Sequence, residues 1–198
     1  MMKVFYRGLA FTVDEGVYEP AEDSFLMADN LEVNTKNRVL DLGTGCGILA
    51  VLSALEGAEV VATDISKKAI DCAKKNARAH GVHHKIDFRV GDLFAPVRGE
   101  KFDTILFNPP YLPASGKLEN DPAGVSCESG PDGRAHTERF LAEFVDYLQL
   151  PAKVMLVQSS LSNYALTVKK LLELKAEIEI VEKPLPFEKL ALIKASLK

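Results

Sequence analysis

The chain is poor in cysteine and carries no strong excess of charge of either sign, and both shortages narrow its function. Cysteine occurs only at Cys46, Cys72 and Cys127, with no C-x-x-C pair. That spacing argues against a disulfide framework or a structural zinc site and suits a reducing cytoplasm. A formal charge of -4 provides no field that gathers nucleic acid, so a polynucleotide substrate is disfavoured. Long apolar runs are missing as well: the longest, residues 48–55, falls far short of a bilayer span. The opening Met1-Met2-Lys3-Val4-Phe5-Tyr6-Arg7 has no signal-peptide core. The expectation is a soluble, cytoplasmic protein without membrane contact. No repeat or low-complexity tract is present. At 198 residues the length fits a single domain, 1–198, with 1–36 as an N-terminal extension and 37–198 as the core.

What the chain does have is an alternation of β-branched runs and amphipathic segments. Residues 38–42, 59–63, 85–90, 102–107 and 153–158 read as strands. The clearest helix covers 66–80, with Ser66 as N-cap, Ile70, Ala73 and Ala77 on one face, and Gly81 as its stop. Strands alternating with helices imply right-handed βαβ units and a parallel sheet. The tail differs, because 177–181 and 190–195 flank a Pro184-Leu185-Pro186 turn and predict a hairpin that places one antiparallel strand in the sheet. Ahead of the sheet, 4–13 predicts a small hairpin around Arg7-Gly8, and 20–31 a helix. Residues 112–133, rich in Gly, Pro, Ser and Asp, form one long loop of the kind that usually carries function.

Three strand ends carry polar chemistry. Asp41-Leu42-Gly43-Thr44-Gly45-Cys46-Gly47 runs from a buried strand into a glycine-rich turn and then a helix, where the backbone can approach a ligand closely. Asp64 ends the next strand, about 20 residues on, where an acidic side chain can accept both ribose hydroxyls. Asp92 ends the third, where a carboxylate can take a proton from an adenine amino group beside Leu93 and Ile65. In an open α/β sheet, ligands bind outside the carboxyl ends of the strands. The turn reads G-x-G-x-G after an acidic Asp41 and departs from the dinucleotide pattern G-x-G-x-x-G. A carboxylate there repels a phosphate and favours an ammonium or a sulfonium.

Asn108-Pro109-Pro110-Tyr111 follows the strand 102–107. Two prolines supply no N–H and hold the elbow rigid, leaving the Asn108 amide and backbone carbonyls as acceptors for an amino group, with Tyr111 as a planar cover. A plain strand-ending turn is the competing reading of Asn-Pro alone. The histidines of His80-Gly81-Val82-His83-His84 sit at a helix exit without a carboxylate or cysteine at ligand spacing, and no metal is expected. Cys46 reads as a packing residue.

The motifs from Asp41 to Gly47, with Asp64 and Asp92, resemble those of Rossmann-like methyltransferases that bind S-adenosylmethionine. Asn108-Pro109-Pro110-Tyr111 narrows the resemblance to amino-group methyltransferases. Tyr18-Glu19-Pro20-Ala21-Glu22-Asp23-Ser24-Phe25-Leu26 and Ser129-Gly130-Pro131-Asp132-Gly133-Arg134 resemble segments of HemK-like release-factor glutamine methyltransferases, in their short archaeal and eukaryotic form. The resemblance implies a class I α/β fold, a Rossmann-like seven-stranded sheet, mostly parallel with one antiparallel strand. It implies methyl transfer to a glutamine amide of a peptide chain release factor, with S-adenosylhomocysteine as product. It assigns the cofactor to Asp41, Gly43, Thr44, Gly45, Gly47, Asp64, Ile65, Asp92, Leu93 and Asn108, catalysis to Asn108, Pro109 and Tyr111, and the substrate to Asn108, Pro110, Tyr111, Tyr18 and Pro20. It also implies a small zinc-binding activator as heterodimer partner, and Val4, Phe5 and Leu9 offer an apolar strand for it. The alternatives are an N-methyltransferase of adenine or guanine in RNA or DNA, and an inert cofactor-binding scaffold.

Overall fold

Leu40 and Leu42 face one side of the central sheet and Val39 the other, and both sides are covered by buried apolar residues. A strand covered on both faces reads as a near-continuous hydrophobic run, which is why 38–42 is legible without strict alternation. The computed structural model describes residues 1–113 and 129–198. The chain opens with the antiparallel hairpin β1 (Met2–Tyr6) and β2 (Leu9–Val13). Arg7 and Gly8 both take positive φ at its turn, a pairing suited to tight two-residue hairpins. Helix α1 (Glu22–Asp29) follows, then β3 (Arg38–Leu42), α2 (Ile48–Leu55), β4 (Glu59–Asp64), α3 (Lys67–Ala79), β5 (Ile86–Val90) and β6 (Phe102–Phe107). After the loop come α4 (Ala135–Glu143), β7 (Leu148–Ser159), α5 (Tyr164–Glu173), β8 (Glu177–Pro184) and β9 (Lys189–Leu197).

The seven-stranded sheet has the order β5-β4-β3-β6-β7-β9-β8. β3 pairs in parallel with both β4 and β6, while β9 is antiparallel to both β7 and β8, so β9 is the single reversed strand, as expected. From β3 the chain winds outward to β5 and then returns to β6 on the other side. The carboxyl ends of β3 and β6 therefore border the crevice where doubly wound sheets bind ligands.

Ser66 caps α3 as expected, its hydroxyl accepting from the Ala69 amide. Of the boundaries that differ from the sequence reading, two involve proline. β7 begins at Leu148, five residues earlier than 153–158 suggests, because the pairing register with β6 shifts between Phe102 and Thr104 and so accommodates Pro151 inside the strand. β8 extends to Pro184, the prolyl residue being acceptable on an edge strand. The hairpin β1–β2 also covers its own apolar groups better than expected. Val4 and Leu9 are half-buried against the core, and of the three residues named above only Phe5 is strongly exposed. The amide of buried Asn76 on α3 explains this docking: it donates to the carbonyls of Thr12 and Cys46, at 2.8 and 2.7 Å, and accepts from the Thr12 amide, at 2.8 Å. One side chain ties the hairpin to the glycine-rich turn.

Of the long loop, 114–128 and with it Cys127 lie outside the described residues.

Candidate active site

The turn after β3 is held from below and from the side. Asp41 is wholly buried, accepts from the Thr44 hydroxyl at 2.6 Å, and does not line the cavity above the turn. Burial pushes its carboxyl up to about 6, with the charge of Asp64 adding to the effect and the Thr44 hydroxyl and Ala50 amide opposing it. Gly47 is buried too, and a Cβ there would lie 2.8 Å from the Ala73 Cβ, so this glycine admits helix α3. Asp41 and Gly47, named above for the cofactor, both build the turn in this structure. Gly43, Thr44 and Gly45 form the wall itself.

The position of Asp41 yields a pH dependence. Its folded form holds a proton to about pH 6, whereas the ordinary value is 3.8. The group's contribution to stability is therefore greatest below the lower value and is lost as pH rises through the upper one. A shift of this size corresponds to roughly 3 kcal/mol. Asp41→Asn keeps an acceptor for Thr44 and removes the buried charge. In urea denaturation without cofactor, the variant is expected to gain on the wild type by about 1–3 kcal/mol between pH 4 and 8. A difference that stays constant over that range would remove the buried-charge account.

Asp64, at the end of β4, accepts from the Gly45 amide at 3.0 Å and the Ser66 amide at 2.8 Å. It thus pins the turn to the cap of α3 while standing on the cavity wall, and burial raises its pKa against the pull of those two amides. Asp92, Leu93 and Ile65 form the next stretch of wall, with Ile65 strongly exposed. Arg139 of α4 reaches Asp92 at 2.5 Å, an ion pair that sequence reasoning missed because the two residues lie 47 positions apart. His136, on the same helix, also lines the cavity, and burial together with the Arg139 charge lowers its pKa. Cys46 is buried and its thiol is pushed up to about 12 by that burial, which fits a packing residue.

At the end of β6, Asn108, Pro109, Pro110 and Tyr111 close the opposite wall of the same cavity, whose volume is about 490 Å³. Tyr18 and Pro20 also lie on it, as expected of the segment before α1. Sequence reasoning also missed Asp23 as part of the site. It is buried, and its Oδ2 accepts from the Tyr18 hydroxyl at 2.9 Å, the Asn108 Nδ2 at 3.1 Å and the Tyr111 hydroxyl at 3.2 Å. The Asn108 Oδ1 is buried and has no donor among the described residues. A buried acceptor left without a partner costs about 1–3 kcal/mol, a cost that a donor on a ligand would relieve.

The turn 129–134 folds back onto this elbow. The Ser129 amide donates to the Leu112 carbonyl at 2.9 Å. Arg134, almost fully buried, donates to the carbonyls of Ser162 and Asn163 at 2.9 and 3.0 Å and anchors the turn to the end of β7.

The donors and spaces present fit an adenosine carrying a sulfonium. A Cβ built on Gly43 or Gly45 meets nothing within 4 Å, so the wall is open to a ligand there, and the carboxylates of Asp64 and Asp92 offer acceptors to hydroxyl and amino groups.

Comparison with known proteins places this geometry. The family model described as "Methyltransferase small domain" matches residues 9–120. A protein of Methanocaldococcus jannaschii, provisionally named a protein N5-glutamine methyltransferase, is 40% identical over 198 residues, covering 98% of each chain. A release factor glutamine methyltransferase of Chlorobaculum tepidum is 38% identical over 126 residues, covering 56% of this chain and 43% of that longer protein. Among solved structures, the E. cuniculi Mtq2–Trm112 complex, described as methylating the eRF1 translation termination factor, is similar with a TM-score of 0.66. The identity is 24%, over 92% of this chain and 99% of that one, which speaks for the shared fold. Matched over more than half its length by the family model and over nearly all of it by a relative, the chain belongs to the methyltransferase small domain family.

Proposed function

We propose that this chain is a single-domain, S-adenosylmethionine-dependent methyltransferase that modifies the side-chain amide of a glutamine in a peptide chain release factor, in the cytoplasm. The observation that carries it is the buried Asn108 Oδ1, unpartnered among the described residues, of a side chain on the wall of a cavity that also presents Asp64 and Asp92. The relative sharing 40% identity over nearly the whole chain supports glutamine as the acceptor, and the net charge of -4 disfavours nucleic acid. A partner protein is part of the proposal, suggested by the paired structural neighbour, and its being small and zinc-binding rests on the family resemblance alone. No helix among the described residues is long and apolar enough to cross a membrane.

Asp64 would hold the ribose hydroxyls, Asp92 the adenine amino group between Leu93 and Ile65, and Gly43 to Gly45 the amino acid end. When bound, the cofactor supplies an electrophilic methyl on sulfur. A carboxamide nitrogen is a weak nucleophile because its lone pair is delocalised, so alignment must do what a strong base does elsewhere. Asn108 Oδ1 and the Pro109 carbonyl would accept its two N–H groups and turn the lone pair toward the methyl, while Pro110 and Tyr111 confine the amide plane. Positioning of that kind can supply several kcal/mol. The same acceptors stabilise the positive charge that develops on nitrogen, which loses its proton to water afterwards.

Two measurements test this reading. Labelled methyl from the cofactor should pass to purified release factor, and not to tRNA, rRNA or DNA, with and without the partner present; label in nucleic acid alone would sink the glutamine assignment. Asp64→Ala should weaken cofactor binding by about 1–3 kcal/mol in calorimetry, the range for a lost hydrogen-bonded contact. Unchanged affinity would mean that the ribose sits elsewhere.

A further inference from the structure

We infer that Asp23 is a positioning residue that fixes which end of the Asn108 amide meets the acceptor nitrogen. The inference rests on the proposed role of Asn108 and deepens it.

A side-chain amide has two ends of opposite character, and only the oxygen can accept from a substrate N–H. Nothing in β6 selects between the ends. Asp23 does, because a carboxylate accepts and never donates: it draws the Nδ2 of Asn108 to 3.1 Å, and the Ser24 hydroxyl stands 3.4 Å from the same nitrogen. The Oδ1 is thereby turned away from Asp23 and has no donor among the described residues. Asp23 is itself held fast. Its Oδ1 accepts from the Ser24 amide at 2.6 Å and the Ser24 hydroxyl at 3.2 Å, and its Oδ2 from the hydroxyls of Tyr18 and Tyr111. The carboxylate is 3% exposed, so its charge acts on Asn108 with little solvent screening. A negative charge behind the NH₂ end makes the far oxygen a stronger acceptor, which helps most as positive charge grows on the substrate nitrogen. Tyr111 and Tyr18 share the same oxygen, so one buried carboxylate sets the register of the catalytic elbow and of the segment before α1 together.

Asp23→Asn gives a distinctive outcome. The Ser24 amide must still meet an oxygen, so the new NH₂ faces Asn108 and forces its amide to rotate, presenting Nδ2 where the acceptor nitrogen needs an oxygen. A merely structural role ranks the isosteric Asn as mild and Ala as severe. The orienting role reverses that order: kcat should fall about 30–100-fold in Asp23→Asn, at least as far as in Asp23→Ala, with cofactor Kd within about 3-fold of wild type. Because Asp23 acts through Asn108, the double variant with Asn108→Ala should be no more than about 3-fold slower than Asn108→Ala alone. Turnover near wild type in Asp23→Asn, or losses that multiply in the double variant, would overturn the inference and leave the role of Asn108 standing; full activity in Asn108→Ala would instead overturn the proposed function. A readout on the unaltered protein covers a variant that fails to fold. The Asn108 side-chain amide signals, followed by NMR, should include one proton protected from exchange by its bond to Asp23, and two freely exchanging protons would reject the contact.

Discussion

Asn108→Ala is expected to lower turnover about 100-fold or more while leaving cofactor affinity near the wild-type value. The side chain stands at the end of β6, half-buried, with its Nδ2 engaged by Asp23 and its Oδ1 without a donor among the described residues. The engaged end is structural and the orphan end is available, so removal of the amide takes away an acceptor whose benefit is largest when the substrate nitrogen carries developing charge. An interaction made mainly in the transition state lowers kcat and spares ground-state binding. Loss of cofactor affinity in step with turnover would show that Asn108 works on the cofactor instead. Asn108→Asp separates charge from geometry: it keeps an acceptor but loses the Nδ2 donor and sets a second carboxyl against Asp23, so turnover should stay well below wild type.

The sheet and the strand ends that border the cavity were legible in the sequence for local reasons. β3, β4 and β6 are short β-branched or apolar runs, each closed by a polar residue or a glycine, so both the strand and its functional end are written within a few positions. The strand ends then fall on one edge because parallel βαβ units allow little else. What remained hidden is contact between distant segments. Asp23 precedes Asn108 by 85 positions, and Arg139 follows Asp92 by 47; each is an ordinary charged residue on a short helix until the fold brings it to its partner. The place of Asp41 beneath the turn was hidden for a related reason. Its carboxylate sits next in sequence to the cavity wall, yet a strand alternates its side chains, and this one points beneath the turn into the protein, toward Thr44. The first half of β7 escaped because Pro151 argues against a central strand, and only the register shift beside β6 makes it acceptable.

Gly133→Ala is expected to damage catalysis about as severely as Asn108→Ala, although Gly133 lies 22 positions beyond Tyr111 in sequence. A Cβ at Gly133 would fall 2.3 Å from the Tyr111 carbonyl oxygen, 3.0 Å from the Pro113 nitrogen and 3.1 Å from the Ser162 Cβ. Two of these atoms are backbone and cannot swing aside. Gly133 also has φ of +72°, which an alanine adopts at a cost of about 1–2 kcal/mol. The overpacking adds about 1–3 kcal/mol, so either the turn 129–134 lifts off or the elbow moves. The turn resists, because Arg134 next to it is buried and bound to the carbonyls of Ser162 and Asn163. The strain therefore passes to Tyr111 and, through the hydroxyl bond to Asp23, to the orientation of Asn108. A displacement of about 1 Å in a reacting pair can cost 100-fold in rate. Gly130→Ala is the matched control: its φ of +74° imposes the same backbone strain, but its Cβ meets only the Ala135 Cβ at 3.3 Å, which a small shift relieves. Turnover, cofactor affinity and melting temperature measured on both variants separate the two effects. Gly130→Ala should lose stability and keep most of its turnover, whereas Gly133→Ala should lose about 100-fold in kcat with cofactor binding retained. Equal losses in the two variants would mean that backbone strain in the turn is responsible, and that the close contact between Gly133 and Tyr111 does not govern the acceptor site.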